Sequence, residues 1–540
     1  MERTQRKPNL HALVDMGSNG IRFSISDLSP STARILPTLF QDRAGISLYD
    51  AQYSTGVKAA IPFHIISEVI RAMQRFQRTC EDFGVPSSNV SVLATEATRE
   101  AINSVSFRQQ IKDATGWEVQ MLPKEEEGRV GAMGVASSAR SVQGLIMDLG
   151  GGSVQLTWMT EVDGAVSIAD GASVSLPYGA AALLRRLQEA EELGAQQVDA
   201  LAQEVRARIT EEWEAVRPKD PTQARHFPLF LSGGGFRGWG NVLLDSHHVQ
   251  PYPIPIIDGF TVPASAFRDT MRVQSDVAQK GSSIFRVSER RAGQIPAVSF
   301  LVTQMTAALP AVSSVRFAQG GVREGFLFSG LPAEVRKLIP LEVASSSFAP
   351  ASVDQLVIEM RHALPDGLKV PSLMHNLVRP IVNLLYHASS YPREARAAVA
   401  LRMTTTGVLA GVHGLSHDER AALSLILCER WGGLKELSPT DIDFFQRLQS
   451  IVTPAVAWWS RYLGRVGALL GYRYPAGVVR DKKDHIIAEA TDGQLVLHVR
   501  DIDGDEGYQA HMEKIEKLGK KKNWIGGKDG WGLKIHLLNV

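Results

Sequence analysis

Three consecutive glycines behind a strand-ending aspartate constrain this chain more than any other feature. In residues 144–158, GLIMDLGGGSVQLTW, an apolar run ends on Asp148, Gly150, Gly151 and Gly152 follow, and after Ser153 alternation resumes through Val154, Leu156 and Trp158. The pattern predicts strand, tight turn, strand, with no side chains at the tip. Bare backbone N–H groups at such a turn can close around a phosphate, and the Ser153 hydroxyl adds a donor. Asp148 stands where it can hold a hydrated metal ion beside that phosphate. An ordinary hairpin carries the same glycines, so the rest of the chain decides between the two readings.

Residues 11–25, HALVDMGSNGIRFSI, repeat the design. An apolar strand ends on Asp15, then come Gly17, Ser18, Asn19 and Gly20, and alternation resumes at Ile21, Phe23 and Ile25. The two copies lie too far apart for a short solenoid repeat. They suit two similar α/β halves, each offering one hairpin loop to a shared cleft. A third cluster, LFLSGGGFRGWG at residues 229–240, follows another apolar run; its Gly233, Gly234 and Gly235 are read as a further loop on the nucleotide side of the cleft.

At 540 residues the chain should hold several domains. Its 44% apolar and 21% charged content belongs to a soluble globular protein, and a net charge of +1 argues against a general nucleic-acid-binding surface. Two cysteines, Cys80 and Cys428, make no disulfide scaffold or zinc ribbon and fit a reducing compartment. The opening MERTQRKPNL lacks the apolar core of a signal peptide, and no apolar run is long enough to span a bilayer, so a cytoplasmic protein, or one partly nuclear, is expected.

Along the chain, Ile66, Val69, Ile70, Met73 and Phe76 share one helical face within residues 65–83. Residues 90–94 read as a short buried strand, and Thr95 opens a helix carrying Arg99. Arg99 is either a solvated helix residue or a bidentate anion clamp at a strand-to-helix junction. Residues 119–122 form another strand, followed by Glu125, Glu126 and Glu127 and a helix of small residues. Acids at a helix N-terminus complement its dipole; this helix runs straight into the Asp148 hairpin, so one of them can instead face the cleft as a general base. Residues 180–217 read as a long charged helical region, 218–228 as a loop, 251–263 as a proline-rich surface loop, 285–304 as a loop entering a helix, and 316–327 as strand, glycine turn and helix start. From residue 333 to 470 helix follows helix. Residues 485–540 alternate around one basic helix, and Lys517 to Lys522 read as a solvated helix end rather than a nucleic-acid site.

Taken in order, VDMGSN (14–19), ATEATREAIN (94–103), EEEGR (125–129), MDLGGGSVQL (147–156), SLPYGA (175–180), SGGG (232–235), RAGQIPA (291–297) and GGVREGFLF (320–328) resemble the exopolyphosphatase and guanosine-pentaphosphate phosphatase family, within the actin, hexokinase and Hsp70 superfamily. The resemblance implies two actin-like (ribonuclease H-like) α/β halves around a cleft, at residues 1–138 and 139–330. An all-helical HD-like domain at 331–475 and a small α/β C-terminal cap at 476–540 would follow. It implies Glu127 as catalytic base and Arg99 as its phosphate-contacting partner. Gly17, Ser18, Asn19, Gly150, Gly151, Gly152 and Ser153 would bind phosphate, and Asp15 and Asp148 would hold Mg²⁺ through water.

Three departures stand out. Gly20 replaces a hydroxyl residue after G-S-N, the RAD motif reads Arg291-Ala292-Gly293 without its acid, and residues 395–407, ARAAVALRMTTTG, stand where the HD metal pair belongs. His417-Asp418 is read as a helix-capping segment, and no metal is expected on His375, His387 or His413 of the helical domain. The layout and motifs such as VDMGSNGIRFS and GGGFRGWG are most similar to a fungal branch of the family that signals mitochondrial status to the nucleus. The implied function is binding of ATP, another nucleotide or polyphosphate in the cleft, coupled to a cytoplasmic regulatory protein partner. No membrane and no direct nucleic-acid contact are implied, and a homodimer is compatible. The alternative is an active phosphoanhydride hydrolase using Glu127. A sugar or acetate kinase of the same superfamily is a third reading, disfavoured because Glu127 suits water as nucleophile.

Overall fold

The computed structural model describes residues 7–54, 56–162, 165–169, 171–480, 486–500 and 505–539. The chain divides into two compact units: Met1–His247 with Ile257–Pro340, and His248–Ile256 with Leu341–Val540.

The first unit holds two sheets built to one plan. Strands β1 (Leu10–Gly17) and β2 (Gly20–Asp27) form an antiparallel hairpin joined by Ser18-Asn19, with Gly17 opposite Gly20. β3 (Thr38–Ala44) pairs with β2, while β4 (Val90–Ala94) and β5 (Val119–Met121) add parallel strands on the far side, giving the order β3-β2-β1-β4-β5. The second sheet repeats this. β6 (Gly144–Leu149) and β7 (Val154–Val162) form the hairpin, β8 (Ala165–Ser167) and β9 (Ser173–Leu176) pair with β7, and β10 (Phe227–Ser232) and β12 (Val312–Phe317) extend β6 in parallel. β11 (Thr261–Val262) closes the edge beyond β12. Parallel neighbours need crossover helices, and the helices Phe63–Phe83 and Ser104–Thr115 of the first half and Ala195–Val216 of the second lie in such crossovers. Ile66, Val69, Met73 and Phe76 are buried as the periodicity requires, with Ile70 half-buried, and Gly84 ends the helix at φ 78°. One apolar cluster, including Leu13, Leu93, Ala136, Ile146, Phe230 and Phe328, runs through both halves.

The small residues of the helix Lys124–Ser137 have a packing cause. A Cβ at Gly134 would run into the Gly321 backbone, and one at Gly320 or Gly325 would run into the backbone of this helix. The helix therefore meets Val322–Ser329 backbone to backbone. Any side chain at these glycines would push the two apart.

Residues 180–217 are helical as expected, in two helices, Ala180–Leu193 and Ala195–Val216, because Gly194 takes φ 104°, open to glycine and closed to the surrounding side chains. Two expectations change. Within 218–228, Asp220 accepts from Thr222 N at 2.8 Å to start a short helix, Pro221–Arg225, and β10 begins at Phe227. The proline-rich stretch is no surface loop: residues 248–256 belong to the second unit, where Ile254, 1% exposed, packs with Ala397, Leu401, Ala421 and Leu425. The prolines leave Tyr252, Ile254 and Ile256 alternating, and an apolar alternation is a buried one when a groove receives it.

The second unit is helical before its sheet. Helices Val353–His362, Ser372–Leu384, Arg396–Arg402, His417–Arg430, Pro439–Ser450 and Pro454–Arg473 precede β13 (Ile486–Thr491), β14 (Gln494–Val499) and β15 (Ile535–Asn539). β13 and β14 are antiparallel, β14 and β15 parallel, and the helix Glu506–Leu518 buries Tyr508, Met512, Ile515 and Leu518. Ser416 and Glu419 form a capping box at the start of His417–Arg430. His417 itself is buried: its Nδ1 lies 2.7 Å from Tyr252 Oη and its Nε2 2.9 Å from Ile256 O. The TTTG end of residues 395–407 folds around Arg420, whose guanidinium donates to the carbonyls of Thr404 and Val412 at 2.6 Å each. Among the described residues no helix is long and apolar enough to cross a membrane.

Candidate functional site: a two-hairpin cleft

The tips of both hairpins face one cavity of about 120 Å³ in the first unit. Asp15, Gly17, Ser18, Asn19, Glu127, Asp148, Gly150, Gly151, Ser153, Gly233 and Gly234 line it. Gly152, Gly235 and Arg99 do not. A Cβ on Gly152 would strike the Glu96 carboxylate and one on Gly235 the Leu149 side chain, so both glycines serve close packing behind the wall.

The two loops are held differently. In the first, Arg43 Nη2 donates to Asn19 O at 2.9 Å and Arg290 Nη2 to Asn19 Oδ1 at 2.8 Å. In the second, the carbonyls of Gly150, Gly151 and Gly152 accept from Ala180, Ala181 and Gly179 at 2.9–3.0 Å. The start of the helix Ala180–Leu193 thus uses the carbonyl side of the turn. The loops meet where Gly151 abuts Asn19, at which a Cβ would lie 2.5 Å from Asn19 Cγ.

Gly233, Gly234 and Gly235 are not a loop. β10 runs directly into the helix Gly233–Asp245, and they are its first turn. Gly233 adopts φ +88° against Asp148 and Leu149, a turn only glycine makes without strain. The first-turn N–H groups of a helix have no intrahelical partner, which suits an anion.

Glu127 sits in the first turn of Lys124–Ser137. Its Oε2 accepts from Arg99 Nη1 and Nη2 at 3.3 Å, and its Oε1 lies 3.4 Å from Gln155 Nε2, which also donates to Ser153 Oγ at 2.8 Å. Burial pushes the Glu127 carboxyl up to about 8, against the pull of Arg99. Arg99 ends the one-turn helix Glu96–Arg99, and its guanidinium reaches back to Leu122 O and to Glu127 rather than into the cavity. Its guanidinium thus grips the Glu127 carboxylate.

Asp15, 6% exposed, and Asp148 are both raised by burial, with Arg22 pulling each down; Arg22 Nη1 lies 3.7 Å from Asp15 Oδ2. Two such carboxyls on one small cavity suit a cation. They suit the Mg²⁺ type, which takes one or two carboxylates and fills its other positions with water and phosphate oxygen. Among the described residues no group of three or more His, Cys, Asp or Glu could hold a metal without such help.

Several lining residues were not singled out from sequence. Arg22, Arg43 and Arg237 bring cations, and burial lowers Arg237 to about 10. Gln155, Gln319, Gly320 and Gly321 complete the wall. Glu96 lies behind Gly152 with Oε2 buried and without a hydrogen-bond partner among the described residues. Glu96 and Gln155 stand inside the quoted motifs. Arg22 and Arg237 also stand inside quoted motifs, VDMGSNGIRFS and GGGFRGWG, whereas Arg43 carries no local signal.

The profile of the Ppx/GppA phosphatase family matches residues 27–334, and that of the RTG2 C-terminal domain matches residues 339–539. Retrograde regulation protein 2 of Saccharomyces cerevisiae is 37% identical over 538 residues, 95% of this chain and 89% of that protein. A guanosine-5'-triphosphate,3'-diphosphate pyrophosphatase of Photobacterium profundum is 30% identical over 209 residues, 37% of each chain. Among solved structures, the Aquifex aeolicus Ppx/GppA family member aligns at 21% identity over 59% of this chain and 96% of its own, with a TM-score of 0.47. An exopolyphosphatase from Cytophaga hutchinsonii aligns at 16% identity over 60% and 99%, with a TM-score of 0.44. With a family profile over more than half its length and a relative sharing more than a third of its residues end to end, the chain belongs to the Ppx/GppA phosphatase family.

Proposed function

We propose that this protein binds the phosphate chain of a nucleotide, ATP in the first instance, or of polyphosphate between its two hairpins. The bound state then signals to a cytoplasmic protein partner, in the manner the name of its yeast relative describes, retrograde regulation. The observation that carries the reading is the convergence of two glycine hairpins, the Gly233 helix start, the buried Asp15 and the half-buried Asp148 on one narrow cavity. A volume of about 120 Å³ suits phosphoryl groups, with the rest of a nucleotide lying outside. The Gly150 N–H closes the turn on Ser153 O at 3.0 Å, so the backbone N–H groups of Gly151 and Ser153 would hold phosphate oxygens, with the Ser18 and Ser153 hydroxyls alongside. Asp15 and Asp148 would hold Mg²⁺ through water, and the ion would offset charge on the anhydride. The four-part division at residues 1–138, 139–330, 331–475 and 476–540, with an HD-like helical part that has lost its metal pair, belongs to the same reading.

Hydrolysis of the terminal phosphoanhydride is the second reading, favoured by Glu127. Its carboxylate would take a proton from the attacking water as oxygen joins the terminal phosphorus, while the bond to the bridging oxygen breaks. Arg99 and Gln155 would hold that carboxylate in place. A carboxyl titrating at about 8 is mostly protonated at neutral pH, so turnover would be slow there.

The test uses yeast cells lacking their own retrograde regulation protein 2, a pathway reporter, and purified variants assayed for ATP and polyphosphate binding. Gly151→Val should abolish binding and signal together. Glu127→Gln, which keeps shape and removes the base, should leave both. A silent pathway in Glu127→Gln cells, with ligand still bound by the variant, would make turnover the function.

A further inference from the structure

The second unit contains a larger cavity of about 610 Å³, formed among the C-terminal end of His417–Arg430 and the turn after it, the middle of Pro454–Arg473, the helix Glu506–Leu518 and the turn that follows. Eight lysines and arginines line it against two glutamates, a surplus of six in a chain whose net charge is +1. Glu429 is taken by Arg465, whose Nε donates to it at 2.8 Å, and Lys517 pairs with Glu513 at 3.0 Å. Arg461 donates to Gln449 Oε1 at 2.8 Å, a neutral partner. Among the described residues no carboxylate pairs with Lys514 or Lys522.

Arg430 shows that the site is built. Its guanidinium lies 4.3 Å from the Trp431 ring centre, its Nε is buried without a hydrogen-bond partner among the described residues, and a Cβ on Gly471 would strike it. Burial draws it down to about 10. His511 beside it is held down to about 4 by burial, Lys514 and Arg430. Like charges gathered this closely repel one another unless an anion joins them.

We propose that this cavity is a second ligand site, separate from the glycine cleft, for a compact soluble molecule carrying three or more phosphoryl groups. A phosphate monoester bears about −1.5 to −2 at neutral pH, so three or four phosphoryl groups balance the surplus. The volume falls inside the range of roughly 300–1,000 Å³ typical of small-molecule sites. Inositol polyphosphates and nucleoside polyphosphates share this chemistry.

The experiment measures binding of inositol hexakisphosphate, ATP and orthophosphate to the full-length chain by calorimetry at two salt concentrations. A Gly151→Val background silences the cleft. Either of the first two probes should bind, less tightly at higher salt, and orthophosphate far more weakly. Lys514→Gln with Lys522→Gln, both on exposed side chains, should weaken binding about tenfold or more without lowering Tm; Arg430→Gln should do the same. Which probe binds more tightly identifies the source. If Gly151→Val does not fold, the same pair of lysine changes should remove one of two binding steps from the wild-type chain. Silence of both multiply phosphorylated probes, binding unchanged by the lysine pair, or orthophosphate binding as tightly as either overturns the proposal. So does binding of a long polyphosphate chain alone.

Discussion

The two hairpins of the N-terminal unit share a plan and differ in how they are fixed. The first turn has two residues, Ser18 and Asn19, and is held from outside by guanidinium groups on β3 and on the helix Glu289–Ala308. The second spans Gly150 to Ser153 and is held through its own carbonyls by the next helix start. The first loop therefore depends on particular side chains and the second on their absence. Substitution should harm the second at once and the first only where a partner is lost.

The largest effect tests what the cleft does with its ligand. Glu127→Gln should reduce any phosphoanhydride hydrolysis by about 10²–10⁴-fold while changing ligand affinity less than about threefold. Wild-type hydrolysis should rise about tenfold per pH unit and level off near pH 8, because only the ionised carboxylate is a base. The same group reports on stability. Its pKa is higher folded than unfolded, so the folded state binds the extra proton and loses stability as pH rises through the window from 4.5 to about 8. Glu127→Gln should thus raise Tm most above pH 8, and a Tm difference independent of pH would contradict the burial argument.

A smaller effect breaks the comparison of loops directly. Gly151→Ala should weaken phosphate binding about tenfold, because its Cβ meets the Asn19 amide that Arg290 fixes in place. Adding Asn19→Ala should restore most of the loss in a calorimetric titration. No restoration would mean that the methyl group obstructs phosphate itself. The smallest effect is expected from Gly17→Ala, whose Cβ would lie 3.3 Å from Gly20 O and 3.8 Å from Asp15 Oδ1. Binding should change less than about threefold; a loss matching that of Gly151→Ala would show the loops equally intolerant.

What the sequence reveals here follows from how local each signal is. Both hairpins are legible because a strand that ends on aspartate and glycine is written in consecutive residues. Their meeting is legible because the pattern occurs twice. Arg43 is not, since a lone arginine on an edge strand looks solvated until antiparallel pairing with β2 brings it to the cleft, and Arg237, though inside the quoted GGGFRGWG, is placed there only by the parallel pairing of β10 with β6. Arg99 is half legible: its position at a strand end is local, but its turn toward Glu127 depends on where β5 stops. The basic cavity illustrates the same limit. Lys517 to Lys522 read as a solvated end because Arg430, Arg461 and Arg465 come from two other helices. Prolines at 251–263 suggest a surface, and only the groove beside Leu401 and Leu425 shows why Ile254 is buried.

The nine residues His248–Ile256 carry a consequence for any attempt to dissect the gene. The family match ends at residue 334 and the next begins at 339, which invites a cut between them. An N-terminal fragment made there would retain Tyr252 and Ile254 but not His417, Ala421 or Leu425, against which they pack. The complementary C-terminal fragment would have an empty groove in the same place. Two polypeptides produced from such a cut should each be poorly soluble alone. Mixed, they should recover by strand-like complementation through a plug only nine residues long. Recombination between relatives would meet the same obstacle, since a crossover at the apparent domain border separates the plug from its socket.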